Sequence, residues 1–237
     1  MRTYSHFIRV PSKRRIKLSC IFMKIVEING GTKFGVLTEA TLVLKSGGVL
    51  VVPSDTVYGL VADATNSVAV KKIFSLKARK ENNPLPVFVD SFKMLDEAAC
   101  VKSEKIKKFL ETVWPGKITC VLPARGWMPI ETRGGSGLTI GVRMPNFGFL
   151  NFLIKSFGKP IVETSANISG KGSYLDIQDV INDFKHMPFK PDLILSAGVL
   201  PESNVSTVVD LTEGEPHILR EGAVSVEEIK KIWENIN

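Results

Sequence analysis

Apolar residues along this chain alternate between two spacings. Val36, Ala40, Val43 and Leu44 recur at helical spacing, and Gly47 and Gly48 end that helix. Residues 48–53 (GVLVVP) then read as a strand that Pro53 ends. Ala69, Ile73 and Leu76 predict a second helix, started near Asn66 or Ser67 and finishing around Lys77. Residues 85–90 read as a strand and are followed by helical stretches near 91–99 and 104–113, the latter with Ser103 as N-cap. Strands are expected at 117–124 and 138–145, separated by a Gly-rich polar loop at 125–137. A helix around 147–157 stops at Gly158, and 159–166 is another strand. Three short strands follow in DLILSA (192–197), STVVDLT (206–212) and HILRE (217–221). Ser225 and Glu228 stand at capping-box spacing and open the last helix. This mixed order predicts an α/β (α+β) layer fold, a sheet covered by helices.

Composition adds bounds to that picture. The chain has 237 residues, 44% hydrophobic and 23% charged, which suits one large soluble domain, although the length also admits two. No apolar run approaches the roughly 18 residues of a membrane span. The net charge of +7 first suggests an acidic partner such as nucleic acid. Its distribution removes the suggestion: residues 1–22 hold six basic side chains and no acidic one, leaving +1 for residues 23–237. The leader has three readings: an organelle transit segment, a disordered basic arm, or sequence upstream of a true start at Met23. The expected division is therefore a basic leader over 1–23 and one catalytic domain over 24–237, located in the cytoplasm. Three cysteines without CxxC spacing (Cys20, Cys100 and Cys120) favour neither a disulfide framework nor a zinc site.

Five polar clusters fall at strand ends, where open sheets commonly place ligands. In residues 53–60 (PSDTVYGL), Ser54, Asp55 and Thr56 present hydroxyl and carboxylate groups beside a turn, and Tyr58 and Gly59 could line a small pocket. Lys77 and Arg79, followed by Asn82, Asn83 and Pro84, put two cations at a helix end. They could hold a polyphosphate or simply complement the helix dipole. Thr139 and Arg143 share one face of an apolar strand, and the arginine needs an anionic ligand or an internal carboxylate as partner. In residues 163–173 (ETSANISGKGS), Ser165, Asn167, Ser169 and Ser173 offer donors that could surround phosphate oxygens or form a polar turn into the next helix. The fifth cluster joins Ser206, Thr207 and Arg220. There is no P-loop or G-x-G-x-x-G fingerprint, and His6, His186 and His217 lie outside all five clusters. Lys, Arg, hydroxyls and amides remain, a set suited to positional and electrostatic catalysis on a phosphorylated substrate.

Taken in order, the clusters resemble the threonylcarbamoyl-AMP synthase family, the YrdC-type domain, over about residues 35–222. The family's opening motif appears as Pro53 to Leu60, its KxR and NPL as Lys77, Arg79 and Asn83 to Leu85, and its WPG and following Thr as Trp114 to Gly116 and Thr119. Its TVxVRxP appears as Thr139 to Pro145, its SxN and SGKxS as Ser165, Asn167 and Ser173, and its last motif as Ser206 to Thr212 with Leu219 to Gly222. The resemblance implies a twisted mixed sheet flanked by helices around a central cavity. It also implies that L-threonine, bicarbonate and ATP become threonylcarbamoyl-AMP and pyrophosphate, for N6-threonylcarbamoyladenosine in tRNA. Lys77 and Arg79 would be catalytic. These two, with Asn83, Thr139, Ser165, Asn167, Ser173 and Arg220, would bind ATP, accompanied by Mg2+. Thr56, Arg143, Ser206 and Thr207 would bind threonine. The product would pass to a tRNA threonylcarbamoyl transferase complex, with weak or no direct tRNA binding and no membrane contact.

Phe88 stands where many members carry His, which removes a polar contact on the threonine side. Some members continue into a C-terminal domain, which is not expected in this chain on its length. Two other readings stay open at this stage: a non-catalytic RNA- or ribosome-binding protein of the same fold, and a carbamoyl-adenylate domain with another carbamoyl source.

Overall fold

The computed structural model describes residues 23–28, 33–79, 83–134 and 137–236. The leader, Asn82 and part of the Gly-rich loop lie outside them. The strands are β1 (Ile25–Glu27), β2 (Leu50–Val52), β3 (Gly59–Asp63), β4 (Val87–Phe88), β5 (Ile118–Pro123), β6 (Arg133–Gly134), β7 (Thr139–Arg143), β8 (Ile161–Ser165), β9 (Leu193–Ser196), β10 (Thr207–Asp210) and β11 (His217–Arg220). The helices are α1 (Lys33–Lys45), α2 (Ser67–Lys77), α3 (Phe92–Ala98), α4 (Glu104–Val113), α5 (Gly148–Phe157), α6 (Ile177–Phe184) and α7 (Val226–Glu234).

The strands form one mixed sheet in the order β1-β9-β2-β3-β8-β4-β7-β5-β10-β11, with β6 added beside β7. Parallel pairs (β1 with β9, β2 with β9, β4 with β7, β5 with β10) are mixed with antiparallel ones such as β3 with β8 and β5 with β7. Strands β2 and β3 lie inside this order and every residue of both is buried. A strand covered on both faces needs no polar alternation. That explains why GLVAD at β3 did not read as a strand: a short apolar run opening on glycine has no period-two signal.

Side chains fix the helix starts. The Asn66 side chain accepts from Val68 N–H at 3.0 Å and Ala69 N–H at 3.3 Å, starting α2 where the sequence placed it. Ser103 accepts from Ile106 N–H at 3.2 Å, and Ser225 from Glu228 N–H at 3.2 Å. Helix α6, whose bounds the sequence pattern does not mark, buries Ile177, Val180 and Phe184 at helical spacing behind the N-cap Asp176. One contiguous apolar core runs beneath the sheet from Val36 to Ile229.

The sheet edge carrying β10 and β11 is locked by a close backbone approach. An added Cβ at Gly222 would lie 2.2 Å from Val205 O, and Gly222 N–H donates to Thr207 Oγ1 at 3.0 Å. Backbone cannot move aside as a flexible side chain does. Gly222→Ala is therefore expected to destabilise the protein by about 1–3 kcal/mol, read as a lower urea midpoint with unchanged m-value.

Candidate active site

Strands β7 and β8 flank β4, only two residues long, and their polar faces open on one cavity of about 560 Å³. Period-two alternation sends Thr139, Gly141 and Arg143 to its wall from β7, and Glu163 and Ser165 from β8. Pro84, Leu85 and Pro86, leading into β4, supply an apolar wall. Thr56 arrives from the turn after β2, Arg79 from the end of α2, and Ser206 and Arg220 from the β10–β11 edge. Residues separated by up to 164 positions thus face one space.

Arg143 is 1% exposed, and its charge is matched by an internal carboxylate, one of the two alternatives left open by its sequence. Its terminal nitrogens donate to Asp55 Oδ1 at 2.5 Å and Thr56 Oγ1 at 3.2 Å, and Nε donates to Gly116 O at 2.8 Å. Asp55 Oδ2 also accepts from Asn146 N–H at 3.1 Å. The Phe88 ring centroid lies 5.3 Å from the guanidinium carbon, so the aromatic face at this position meets the cation directly. Phe88 packs under Arg143 and is not part of the cavity wall.

The two cations at the end of α2 part company at Ala78, which holds φ 49°, the left-handed region, as the C-cap. Arg79 turns into the cavity, where its buried Nε has no hydrogen-bond partner among the described residues. Lys77 turns the other way, under the SxN loop. Its ammonium donates to Ser165 O, to Asn167 O at 2.9 Å and to Asn167 Oδ1 at 3.0 Å, using all three N–H groups. Desolvation, followed by the nearby Arg79 charge, lowers the Lys77 pKa to about 8, against Glu163 and Asp183. Ser165 Oγ donates to Asn167 Oδ1 at 2.5 Å, and Asn167 Nδ2 donates to Ile168 O and Lys171 O. Lys77 and Asn167 therefore build the loop that presents Ser165, rather than reaching the wall themselves.

On the opposite wall, Arg220 donates to Ser206 O at 2.7 Å, and the Ser206 and Thr119 hydroxyls lie 2.9 Å apart. Thr207 points away from the cavity, as its neighbour on a strand must. Its hydroxyl donates to Val224 O and accepts from Gly222 and Val224 N–H, which ties β10 to the segment after β11. Asn83 and Ser173 are exposed and off the wall. Tyr58 also departs from expectation: its hydroxyl donates to Gly198 O at 2.8 Å and accepts from Ala197 N–H at 2.9 Å, away from the cavity.

Glu163 was not singled out by sequence, although its spacing from Ser165 carried the signal. The side chain lies over Gly59, where an added Cβ would stand 3.0 Å from Oε1. Burial raises its pKa, opposed by Arg143, then Lys77, then Arg220. The result is a cavity with three guanidinium groups, several hydroxyls and two carboxylates, Glu163 and Asp210, suited to a ligand bearing several negative charges. Among the described residues no group of three or more His, Cys, Asp or Glu could hold a metal ion.

Known proteins are similar to this chain in sequence and fold. A family model named for Sua5, YciO and YrdC, and described as telomere recombination, matches residues 42–222. The threonylcarbamoyl-AMP synthase of Pyrococcus abyssi is 38% identical over 80% of this chain and 54% of its own length. That of Bacillus subtilis is 33% identical over 83% of this chain and 56% of its own. This chain thus spans about half the length of these two relatives. The crystal structure of P. abyssi Sua5 complexed with L-threonine superposes with a TM-score of 0.81 at 35% identity, covering 91% of this chain and 62% of that one. A twisted mixed sheet with this strand arrangement, its cavity and a match over most of the chain agree: the protein belongs to the Sua5/YciO/YrdC family.

Proposed function

We propose that this chain is an L-threonylcarbamoyladenylate synthase, converting L-threonine, bicarbonate and ATP to threonylcarbamoyl-AMP and pyrophosphate for tRNA modification. The observation that carries the reading is Arg79, whose guanidinium enters the cavity with a buried Nε that finds no partner among the described residues. A buried donor left unsatisfied is costly, and a phosphate oxygen is the acceptor that fits an arginine fork. The relatives' names and the P. abyssi complex with L-threonine support the same reading.

In this reaction threonine and bicarbonate give N-carboxy-threonine, whose carboxylate attacks the α-phosphate of ATP and expels pyrophosphate. The protein's part is to hold the reactants in line and to oppose negative charge on the leaving group. Arg79 and Arg220 face that charge, and Thr139 and Ser165 donate from the walls between them. Thr56, Arg143 and Ser206 would seat threonine. Lys77 would act by fixing the SxN loop and by its charge behind it. Mg2+ would enter bound to the nucleotide as part of that substrate. The product, a labile mixed anhydride, would pass to a tRNA threonylcarbamoyl transferase complex. The single net positive charge of residues 23–237 favours hand-over without tight tRNA binding.

Two results check this. Pyrophosphate release from ATP should require both threonine and bicarbonate, and Arg79→Ala or Lys77→Ala should lower it on the order of 10²–10³-fold; normal turnover in both variants overturns the assignment. The Lys77 pKa near 8 sets a pH dependence. The ammonium exists below that pH, so kcat/KM for ATP should fall as pH rises through about 8. Lys77→Arg, which stays charged, should move the fall upward, and a profile flat through this range removes Lys77 from the charge-bearing set.

A further inference from the structure

The cavity is built for anions, yet Glu163 holds a carboxylate at its wall. Among the described residues none donates a hydrogen bond to that carboxylate; the charges acting on it are Arg143 from β7, Lys77 from α2, Arg220 from β11 and, repulsively, Asp55. The other cavity carboxylate, Asp210, is already taken: its Oδ1 accepts from Thr212 N–H at 2.8 Å and Thr212 Oγ1 at 2.7 Å. Gly59 leaves the space that Glu163 occupies, since any side chain there would press on Oε1. A polyphosphate or a carboxylate brought into this space would be repelled by Glu163 unless the ligand also carried a cation. An amino acid does.

We propose that Glu163 receives the α-ammonium of the amino-acid substrate and takes its proton. This inference rests on the synthase reading above and names the group that prepares the amine. The step balances: the ammonium N–H bond breaks, its proton passes to the carboxylate, and the nitrogen lone pair is freed. That lone pair forms the N–C bond with the bicarbonate carbon, the bond from that carbon to its hydroxyl breaks, the departing hydroxide takes a second N–H proton and leaves as water, and the first proton is released from Glu163 to solvent. The enclosed position suits a base for this task, because burial raises the carboxyl's affinity for the proton it must accept.

Titration calorimetry on the intact chain, with L-threonine and with its amine-free analogue 3-hydroxybutyrate, tests the proposal. Wild type should prefer threonine, and Glu163→Gln should weaken threonine binding on the order of 10²-fold, to the level of the analogue. Binding of the analogue and of ATP should be no weaker than in wild type, since the charge that repels both anions is gone. Threonine binding equal to wild type, or equal loss for threonine and analogue, overturns the proposal. The pH profile of turnover is the second readout: wild type should lose activity at low pH as Glu163 is protonated, and Glu163→Asp should keep an acid limb. An unaltered acid limb in Glu163→Gln also overturns it. Absence of threonine- and bicarbonate-dependent pyrophosphate release in the wild type would instead sink the synthase reading itself.

Discussion

A buried guanidinium must be matched on every side, and Arg143 imposes that demand at the centre of this protein. Its partners come from three separate places: Asp55 and Thr56 after β2, Gly116 before β5, and Phe88 on the adjoining β4. Satisfying it pulls the turn after β2 over the end of β7 and holds one wall of the cavity. A broken buried pair of this kind leaves an uncompensated charge, about 3–5 kcal/mol. The pair therefore fixes the position of Thr56 far more firmly than a surface ion pair would, since exposed pairs are worth ~1 kcal/mol or less.

The wall carrying Arg79 solves a different problem. Lys77 and Arg79 stand two positions apart across the end of α2. The left-handed turn at Ala78 separates them, sending one beneath the SxN loop and the other into the cavity. Backbone strain of roughly 1–3 kcal/mol at such a residue is offset by the three hydrogen bonds that Lys77 makes. Ser165 is thereby presented by a loop held from below, while Asn167, fully engaged with its own loop, serves as scaffold.

Much of this architecture was legible before any coordinates. Helices with apolar stripes and polar N-caps, such as α2 after Asn66 and α4 after Ser103, declare themselves because their signals are local. The partly exposed alternation of β7 also placed Thr139 and Arg143 together. Strand β3 was not legible, because burial on both faces erases alternation, and the bounds of α6 were lost behind the polar loop before it. The six ordered motifs pointed to the correct family, since each stands at a cavity wall or supports one.

By itself the sequence determined which residue types are available and which neighbours share a strand face: Arg143 with Thr139, Arg220 near the chain's end, and Glu163 two residues before Ser165. Only the tertiary structure decided which of them face a common space. It brought Asp55 rather than a ligand to Arg143, turned Lys77, Thr207 and Tyr58 away from the cavity, and left Asn83 and Ser173 outside its wall. The reason is physical. Spacing along the chain fixes local direction over a few residues, whereas the partner of a buried charge or donor is chosen by long-range packing, across 88 positions between Asp55 and Arg143.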